Sequence, residues 1–276
     1  MCLPGTVETV RERVEREGVP RLDRRAALLG AAGAALATAL PAGARGFRMG
    51  RNAQDLTHIF SEGFPTFGPP SPDREPYATY AANGFYSQTW TFHEHSGTHM
   101  DAPGHFIPGL RLTPDIPVAD LIAPLAVIDI RSKASEDPDA MVAVGDIVTY
   151  ERRHGRIPRG TLVAMDSGWA AKVGDPLEFK GGAAFPNYHF PGFSNEAAMF
   201  LAQQRNVRAI GVDTISLDPG NSTTFDVHVN FLGTNRYGVE NLANLGSVPP
   251  AGATVHVGVI PWEEGSGGPL RAFATW

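Results

Sequence analysis

The alternation of apolar and polar residues along the chain predicts a β-sheet with few helices. Residues 84–95 alternate aromatic with polar side chains, as a half-buried strand does. Continuous apolar runs at 124–130 and 161–166 are typical of short strands that are buried on both faces. In chain order, the predicted strands span residues 54–60, 84–95, 124–130, 161–166, 208–213, 237–242, 254–262 and 271–275.

Helical patterns are fewer and shorter than the strand patterns. Residues 146–153 predict one helix, and residues 227–232 predict a short helical turn. Ser194 is a typical N-cap, and with Glu196 in the first turn it predicts a helix through Arg205. Strands that alternate with few helices predict an α/β fold with a mixed β-sheet, in a single domain over residues 45–276.

The composition supports a folded protein and argues against one class of partner. The chain has 276 residues, of which 42% are hydrophobic and 19% are charged, so it is long enough for a sizeable core. Its 31 glycines and 23 prolines indicate many turns. The net charge is −6, so we expect no nucleic-acid partner.

The N-terminal region has the pattern of an export signal. Arg24 and Arg25 precede an uncharged, Ala-rich run at 26–44 that ends in Ala-Gly-Ala, a processing pattern. The run is too weakly apolar for a stable membrane anchor, and behind paired arginines it resembles a twin-arginine signal. We therefore expect residues 1–44 to be removed and the protein to be periplasmic or extracellular; the alternative is an ordinary buried helix. Cys2 would be lost with the signal, so any metal would be held by nitrogen and oxygen.

Three imidazoles and one carboxylate fall within one short segment, His95-Ser-Gly-Thr-His99-Met-Asp101-Ala-Pro-Gly-His105. All four lie at odd positions, so an extended chain tends to present them on the same side. A straight strand would spread them over roughly 30 Å, so the chain has to bend at the intervening glycines and proline. Imidazole and carboxylate are ligands that zinc, manganese and iron accept. We interpret the segment as a metal site; the alternative is a polar loop with coincidental histidines.

Further candidate ligands lie downstream of this segment. His228 and Glu240 are twelve residues apart, and Glu240 lies inside an apolar run where a charge is costly unless it is paired or bound to metal. Spacing alone does not assign this pair to the metal. Asp213 and Asp218 follow a buried strand, and we interpret them as residues that anchor turns and loops; the alternative is that they contact a metal ligand from behind.

The pattern His-x-Gly-Thr-His-x-Asp-x-Pro-x-His resembles the motif of the cyclase family of metal-dependent hydrolases, which includes bacterial kynurenine formamidase and isatin hydrolase. This chain matches every fixed position of the motif. The resemblance covers nearly all of the chain after residue 45 and implies the family's swivelling β/β/α-like fold. Outside the motif it rests on residues 55–58, 167–169, 211–219, 240–242 and 267–274.

The resemblance implies a metal ligand set. In relatives with two metals, the residues that match His95, His99 and Asp101 hold the first ion. Those that match His228 and Glu240 complete the site of the second ion, and the carboxylates that match Asp101 and Glu240 bridge the two ions. Isatin hydrolase-like members use a single manganese, so the resemblance implies one or two ions of zinc or manganese per subunit.

The resemblance also implies a catalytic and a substrate-binding residue. The residue that matches His105 is the proton donor and acceptor in the family. Kynurenine formamidase places a tryptophan against its aromatic substrate in the loop after the first strand, and Phe67 is the nearest match in this chain. That departure, together with the export signal, argues against N-formylkynurenine as the substrate. A homo-oligomer, dimer or tetramer, is also implied.

This ligand set predicts a hydrolase. A metal-activated water, a polarised carbonyl and a free imidazole at His105 together suit cleavage of an amide-type C–N bond in a small formamide, amide or cyclic imide-like molecule, an arylformamidase-like reaction. The alternatives are lactone hydrolysis, or cyclisation or dehydration, at the same site. A third alternative is an exported metal-binding protein without turnover, but such a carrier needs no free imidazole beside its ligands.

Overall fold

The computed structural model describes residues 52–276, and the predicted export signal at residues 1–44 lies outside this range. Most of the predicted strands are present in the described residues, generally shorter by a few residues at one or both ends. The strands are β1 (Ala53–Asp55), β2 (Asp73–Ala78), β3 (Ser87–Thr91), β4 (His99–Asp101), β5 (Ile122–Asp129), β6 (Met141–Val142), β7 (Leu162–Asp166), β8 (Gly192–Phe193), β9 (Ala209–Val212), β10 (Tyr237–Glu240), β11 (Ala253–Val259) and β12 (Gly267–Thr275).

Eight of these strands form one mixed sheet, in the order β1-β12-β11-β5-β7-β9-β10-β4. Strands β5, β7, β9 and β10 are parallel, whereas the remaining pairings are antiparallel. The sheet also closes on itself, because β4 pairs with β12 as well as with β10. The predicted mixed sheet is thus confirmed, but its barrel-like closure was not predicted, since β4 is only three residues long and has no alternation of its own.

The two faces of the central strands pack into separate cores, as alternating side chains of a strand must. Leu125 and Val127 of β5 point into the barrel, where they pack with other buried residues of β7, β10, β11 and β12. The intervening Ala126 and Ile128 face the helices instead. Burial on both faces accounts for the continuous apolar runs that predicted these strands.

The described residues include several short helices, of which the third and the fifth pack on the outer face of the parallel strands. They are α1 (Tyr80–Asn83), α2 (Arg131–Glu136), α3 (Val144–His154), α4 (Pro176–Lys180) and α5 (Asn195–Phe200), and π-helical segments are present at Leu201–Arg205 and His228–Leu232. Ser194 caps α5 as predicted, because its hydroxyl accepts a hydrogen bond from the N–H of Ala197. No helix within residues 52–276 has the length and apolar character needed to cross a bilayer.

Residues 74–90 make a separate compact unit, a β-hairpin. Strands β2 and β3 pair with each other, and the one-turn helix α1 connects them. Thr79 caps this helix by accepting a hydrogen bond from the N–H of Ala82, and Gly84 ends it at φ +75°. The strand predicted at 84–95 is therefore shorter at both ends than its alternating pattern indicated, because its first residues belong to this connection and its last to the metal motif.

Candidate metal centre

The histidine motif folds as a turn, a strand and a second turn. Gly97 adopts φ +67° and lies so close to Phe60 that an added Cβ would be 2.5 Å from its ring. Residues His99–Asp101 form β4, and residues Pro103–His105 form a single 3₁₀ turn. The predicted bends at the glycine and at the proline are confirmed, and between them only three residues remain extended.

The strand register brings Glu240 to the motif. Strand β4 lies between β10 and β12, and the Cα partner of His99 in β10 is Glu240. On its other side, Asp101 has Gly267 of β12 as its partner. Residues that lie directly opposite each other in an antiparallel pair have Cβ atoms only about 4.5–5.5 Å apart. Backbone pairing alone therefore places the Glu240 carboxylate beside the His99 imidazole.

His228 reaches the same point from the start of the π-helical segment His228–Leu232. Such segments are uncommon and often lie at functional sites. Asp218 fixes the approach: its carboxylate accepts the N–H groups of Val227 at 2.9 Å and of His228 at 3.1 Å. The same carboxylate lies 2.6 Å from Nδ1 of the His228 ring, so Nε2 is the nitrogen that faces the motif.

Five side chains converge at this point. Nε2 of His99 lies 3.3 Å from Asp101 Oδ1 and 3.3 Å from Glu240 Oε2. Nε2 of His228 lies 3.2 Å from Asp101 Oδ2 and 3.2 Å from Glu240 Oε1. Each carboxylate therefore presents one oxygen to each imidazole. Nδ1 of His95 lies 2.7 Å from Asp101 Oδ1, so two ligand groups, His95/His99/Asp101 and Asp101/His228/Glu240, share one carboxylate.

The hydrogen-bonding pattern fits a metal. His99 donates from Nδ1 to the carbonyl of Gly97 at 2.9 Å, and His228 donates from Nδ1 to Asp218, so in the neutral rings that a metal requires both Nε2 atoms carry lone pairs. Nε2 of His99 and Oδ2 of Asp101 are buried and have no hydrogen-bond partner within residues 52–276. Lone pairs that face lone pairs away from water are unfavourable. A divalent cation among them would satisfy all of these atoms.

The carboxylates shift the protonation of their neighbours strongly. Burial opposes charge on Asp101, but the proximity of three imidazoles holds its pKa well below the usual range. Burial likewise opposes charge on His99, but the nearby carboxylates of Asp101 and Glu240 raise the pKa of its ring to about 10. The carboxylates of Asp101, Asp218 and Glu240 raise the pKa of His228 in the same way. Because a ligand imidazole must be neutral, metal binding replaces these protons.

His95 is oriented from its outer side by Glu94 and Ser266. Ser266 donates to Glu94 Oε2 through its backbone N–H at 2.9 Å and its hydroxyl at 2.6 Å. The hydroxyl oxygen can then accept from Nε2 of His95, 3.0 Å away, which leaves Nδ1 to face Asp101. Gly267 allows the close approach, because an added Cβ there would lie 2.5 Å from the His95 ring. Hydrogen bonds of this kind commonly fix the orientation of a metal-binding imidazole.

His105 lies beside the ligands but belongs to neither ligand group. Its ring stacks on that of His95, with 3.8 Å between the centroids. Within residues 52–276, neither of its ring nitrogens makes a hydrogen bond. Burial is the main reason that its pKa is lowered to about 4, although the charge of Asp101 opposes the shift. His105 is therefore a neutral imidazole with a free lone pair at neutral pH.

A cavity of about 260 Å³ lies over the five side chains. Its apolar wall consists of Phe67, Phe106, Ile215 and Phe225. The rings of Phe67 and Phe225 are 5.7 Å apart, and Phe225 is held at φ +52°, which is unusual for a bulky residue and common at functional sites. No Lys or Arg is among the residues of the described chain that line this cavity. It suits a neutral, flat ring.

The residues that orient the ligands were only partly visible in the sequence. Asp218 anchors its loop, as interpreted, and its carboxylate also contacts the His228 ring directly, which was the alternative. Asp213 does anchor a loop: it accepts hydrogen bonds from the N–H and hydroxyl of Ser167 and from the N–H of Trp169. Spacing gave no signal for these contacts, because each depends on a different loop returning to the site.

Comparison with known proteins agrees with this geometry. Residues 54–219 match the model of the family called Cyclase, which is more than half of the chain. This protein belongs to the cyclase family. As in its relatives, its reaction is hydrolysis of carbon–nitrogen bonds other than peptide bonds.

Three similar proteins illustrate the range of this cyclase-family branch. Isatin hydrolase from Roseibium aggregatum is 34% identical over 205 residues, which cover 71% of this chain and 77% of that protein. The structure of isatin hydrolase A from Ralstonia solanacearum is 34% identical, with a TM-score of 0.77 over 93% of this chain and 97% of that one. Kynurenine formamidase from Salinibacter ruber is 26% identical over 178 residues, 64% of this chain and 74% of that protein.

Proposed function

We propose that this protein hydrolyses a cyclic amide fused to an aromatic ring, of the isatin type. The observation that carries the proposal is the cavity itself, in which an aromatic wall without cationic side chains faces five converging metal-ligand side chains. A flat, neutral ring fits such a wall, whereas a charged amino-acid substrate would find no opposite charge beyond the metal site. The similarity to isatin hydrolases in sequence and in structure supports the same substrate class.

We further propose two adjacent cation positions, with zinc or manganese as the ions. The support is the pairing of oxygens, because Asp101 and Glu240 each direct one oxygen to His99 and the other to His228. His95 adds a ligand on the His99 side only. A divalent cation bound here would lower the pKa of water and polarise an amide carbonyl.

His105 moves the proton in this proposal. Its neutral ring accepts a proton as the oxygen of water forms a bond to the amide carbon. When the C–N bond breaks, the same ring returns the proton to the departing nitrogen, so the products are an amine and a carboxylic acid on one opened molecule, and the acid then ionises by releasing the second water proton to solvent. The stacking of His105 on His95 holds the ring beside the ligands without making it one of them.

The aromatic wall orients the substrate. Phe67 and Phe225 face the cavity from two different loops, and Phe106 follows His105 directly in the chain. Aromatic side chains that pack on a ring fix its plane, and they also exclude bulk water from the reacting amide. We assign Phe67 to substrate binding on this basis.

Turnover of isatin by metal-loaded protein, compared with N-formylkynurenine and an aromatic lactone, tests the proposal. We expect isatin to have the highest kcat/KM. His105→Gln should retain its metal, measured by elemental analysis, and lose about 10²–10⁴-fold in kcat. A variant that loses its metal together with its activity would make His105 a ligand. Faster turnover of N-formylkynurenine or of the lactone would assign the protein to another substrate class.

Two further expectations stay predictions. Export of the chain through the twin-arginine route predicts a mature N-terminus near residue 45, which mass spectrometry of the native protein would identify. Homo-oligomerisation, implied by the family resemblance, is tested by light scattering of the purified protein.

A further inference from the structure

A second cavity, of about 170 Å³, is surrounded by arginines that are far apart in the sequence. We call it the arginine pocket and define it by Arg111, Arg159, Arg208 and Arg236. We propose that the arginine pocket binds a small tetrahedral oxyanion of the phosphate type, in addition to the hydrolase site.

The arginine pocket lies at the amino-terminal ends of the parallel strands, and the metal centre lies at their carboxyl ends. Arg159, Arg208 and Arg236 belong to the loops that lead into β7, β9 and β10, which are neighbours in the sheet. The amino-terminal ends of these three strands lie side by side, so the arginines that precede them come together. Glu240, in contrast, is at the carboxyl end of β10. The two sites use different residues throughout, so anion binding at the pocket does not depend on the proposed hydrolysis.

The pocket has an excess of positive charge. Within residues 52–276, Asp120 is the only carboxylate within ion-pair distance of the four arginines: its oxygens lie 2.8 Å from Arg208 Nη1 and 3.2 Å from Arg111 Nη1. Four cations against one anion leave three positive charges around one small cavity. The chain as a whole has a net charge of −6, so the positive charge of the pocket is opposite in sign to that of the whole protein. Burial, and then the charge of Arg208, lower the pKa of Arg236, which indicates repulsion that a bound anion would relieve.

Two of the arginines are fixed in place by the fold. Arg236 donates to the carbonyls of Val207, Thr234 and Ala202 and to the side chain of Asn206. Arg111 donates from Nε to the Asn235 side chain at 3.0 Å, and from Nη2 to the carbonyl of the same residue. These groups contribute fixed positive charge at the cavity rather than free donors.

The other two arginines hold unused donors. Arg159 makes no hydrogen bond or ion pair within the described residues. Arg208 uses Nη1 for Asp120, and its Nη2 lies beside Gly160 without a hydrogen bond. Guanidinium groups bind oxyanions through paired, charge-assisted hydrogen bonds. A small anion with oxygens on several sides can meet both arginines, and a cavity of this size is too small for a nucleotide.

Isothermal titration of the metal-loaded, full-length protein with inorganic sulfate and phosphate, at constant ionic strength set with chloride, tests the proposal. We expect Arg159→Gln to weaken binding about tenfold or more, the usual contribution of a charge-assisted hydrogen bond. Arg208→Gln should do the same. The control is Arg152→Gln, which removes the same charge from an exposed position on α3 and should leave binding unchanged.

A gain of affinity sharpens the test. Asp120→Asn removes the one competing carboxylate, so sulfate should bind several-fold more tightly, an effect that a purely structural arginine cluster does not produce. Circular dichroism would verify that each variant is folded. The proposal is overturned if the wild type does not bind sulfate or phosphate, or if Arg159→Gln and Arg152→Gln bind them equally. Binding that disappears in Asp101→Asn but persists in Arg159→Gln would place the anion at the metal centre and would also overturn it.

Discussion

The metal centre and the arginine pocket lie at the two ends of the same short strand. Arg236 directly precedes β10 and Glu240 ends it, about 13 Å further along at 3.3 Å per residue. In the metal centre the outer nitrogens of His99 and His228 are held by hydrogen bonds, whereas two inner atoms, Nε2 of His99 and Oδ2 of Asp101, have no hydrogen-bond partner in the described residues. In the arginine pocket, Arg236 and Arg111 use their donors within the fold, whereas Arg159 and Arg208 keep donors that no group in the described residues accepts. The excess is therefore positive charge with free N–H groups.

This difference shows why the two sites differ in their tolerance of change. A site made of unsatisfied, buried acceptors depends on one cation and on every ligand that surrounds it. A site made of surplus charge at a partly exposed cavity loses affinity gradually as each charge is removed. The predictions below test that contrast, from the largest expected effect to the smallest.

Asp101→Asn should have the largest effect. The amide keeps the shape of the carboxylate, but it cannot offer one anionic oxygen to each of His99 and His228. We expect loss of bound metal and a fall in kcat/KM of more than about 10³-fold, beyond the loss of a single oxyanion donor. Elemental analysis and initial rates measure both. Asp139→Asn, which changes a half-buried carboxylate paired with His189 outside the metal centre, is the matched control and should leave metal content intact.

Metal affinity should depend steeply on pH. In the metal-free protein the pKa of His99 is raised to about 10, so at pH 7 the ring is protonated and binding must release that proton. Apparent affinity should therefore rise about tenfold per pH unit for each displaced proton, and level off as the pH passes the pKa. Calorimetry in two buffers with different ionisation enthalpies counts the protons. Binding at pH 7 without proton release would contradict the protonated state of these ligands.

Asp218→Asn tests how strictly the metal centre depends on residues behind its ligands. The amide cannot hold Nδ1 of His228 as strongly as the carboxylate, which lies 2.6 Å away. We expect metal affinity to fall about 10–100-fold, as is typical of such supporting residues, with the fold intact. Asp226→Asn changes an exposed carboxylate in the same loop and serves as the control. Equal affinities for the two variants would assign Asp218 to the loop alone.

Within the arginine pocket, substitution of a fixed arginine should lower the free energy of unfolding more than substitution of a free one. Arg236→Gln leaves several carbonyl groups without their donor, so we expect it to lower the free energy of unfolding by about 2–3 kcal/mol. Arg159→Gln removes an exposed side chain that has no hydrogen-bond or ion-pair partner within residues 52–276, and it should change the free energy of unfolding by less than about 0.5 kcal/mol. Urea unfolding measures both. Equal losses would mean that Arg159 is a structural residue and would weaken the pocket's assignment as an anion site.

The sequence revealed the metal centre to the extent that its ligands are local. His95, His99 and Asp101 lie within seven residues, and the glycine and proline between the motif residues predicted the observed bends. His228 and Glu240 were assigned by resemblance, because nothing near them in the chain identifies the strand register that brings Glu240 opposite His99. Ser266 and Glu94 could not be connected at all, because their contact depends on closure of the sheet.

The arginine pocket was invisible in the sequence for the same physical reason. The four arginines of the pocket are not neighbours in the sequence, because Arg111, Arg159, Arg208 and Arg236 belong to four separate loops. Parallel strands that lie side by side bring their preceding loops together, so charges far apart in the chain accumulate at one edge. The buried strands themselves were predictable from their apolar runs, but their order in the sheet was not.

The closure of the barrel by β4 has a consequence for the order of events during synthesis. The ribosome releases His99 and Asp101 early, but their strand can pair only after β10 and the beginning of β12 have emerged. At about 5–20 residues per second, this delay is roughly 10–30 s. Throughout that interval the first three ligands are an incomplete, solvent-accessible chelator that any abundant cation can visit. Selection of the resident ion is therefore a late step, made by the finished barrel rather than by the nascent motif.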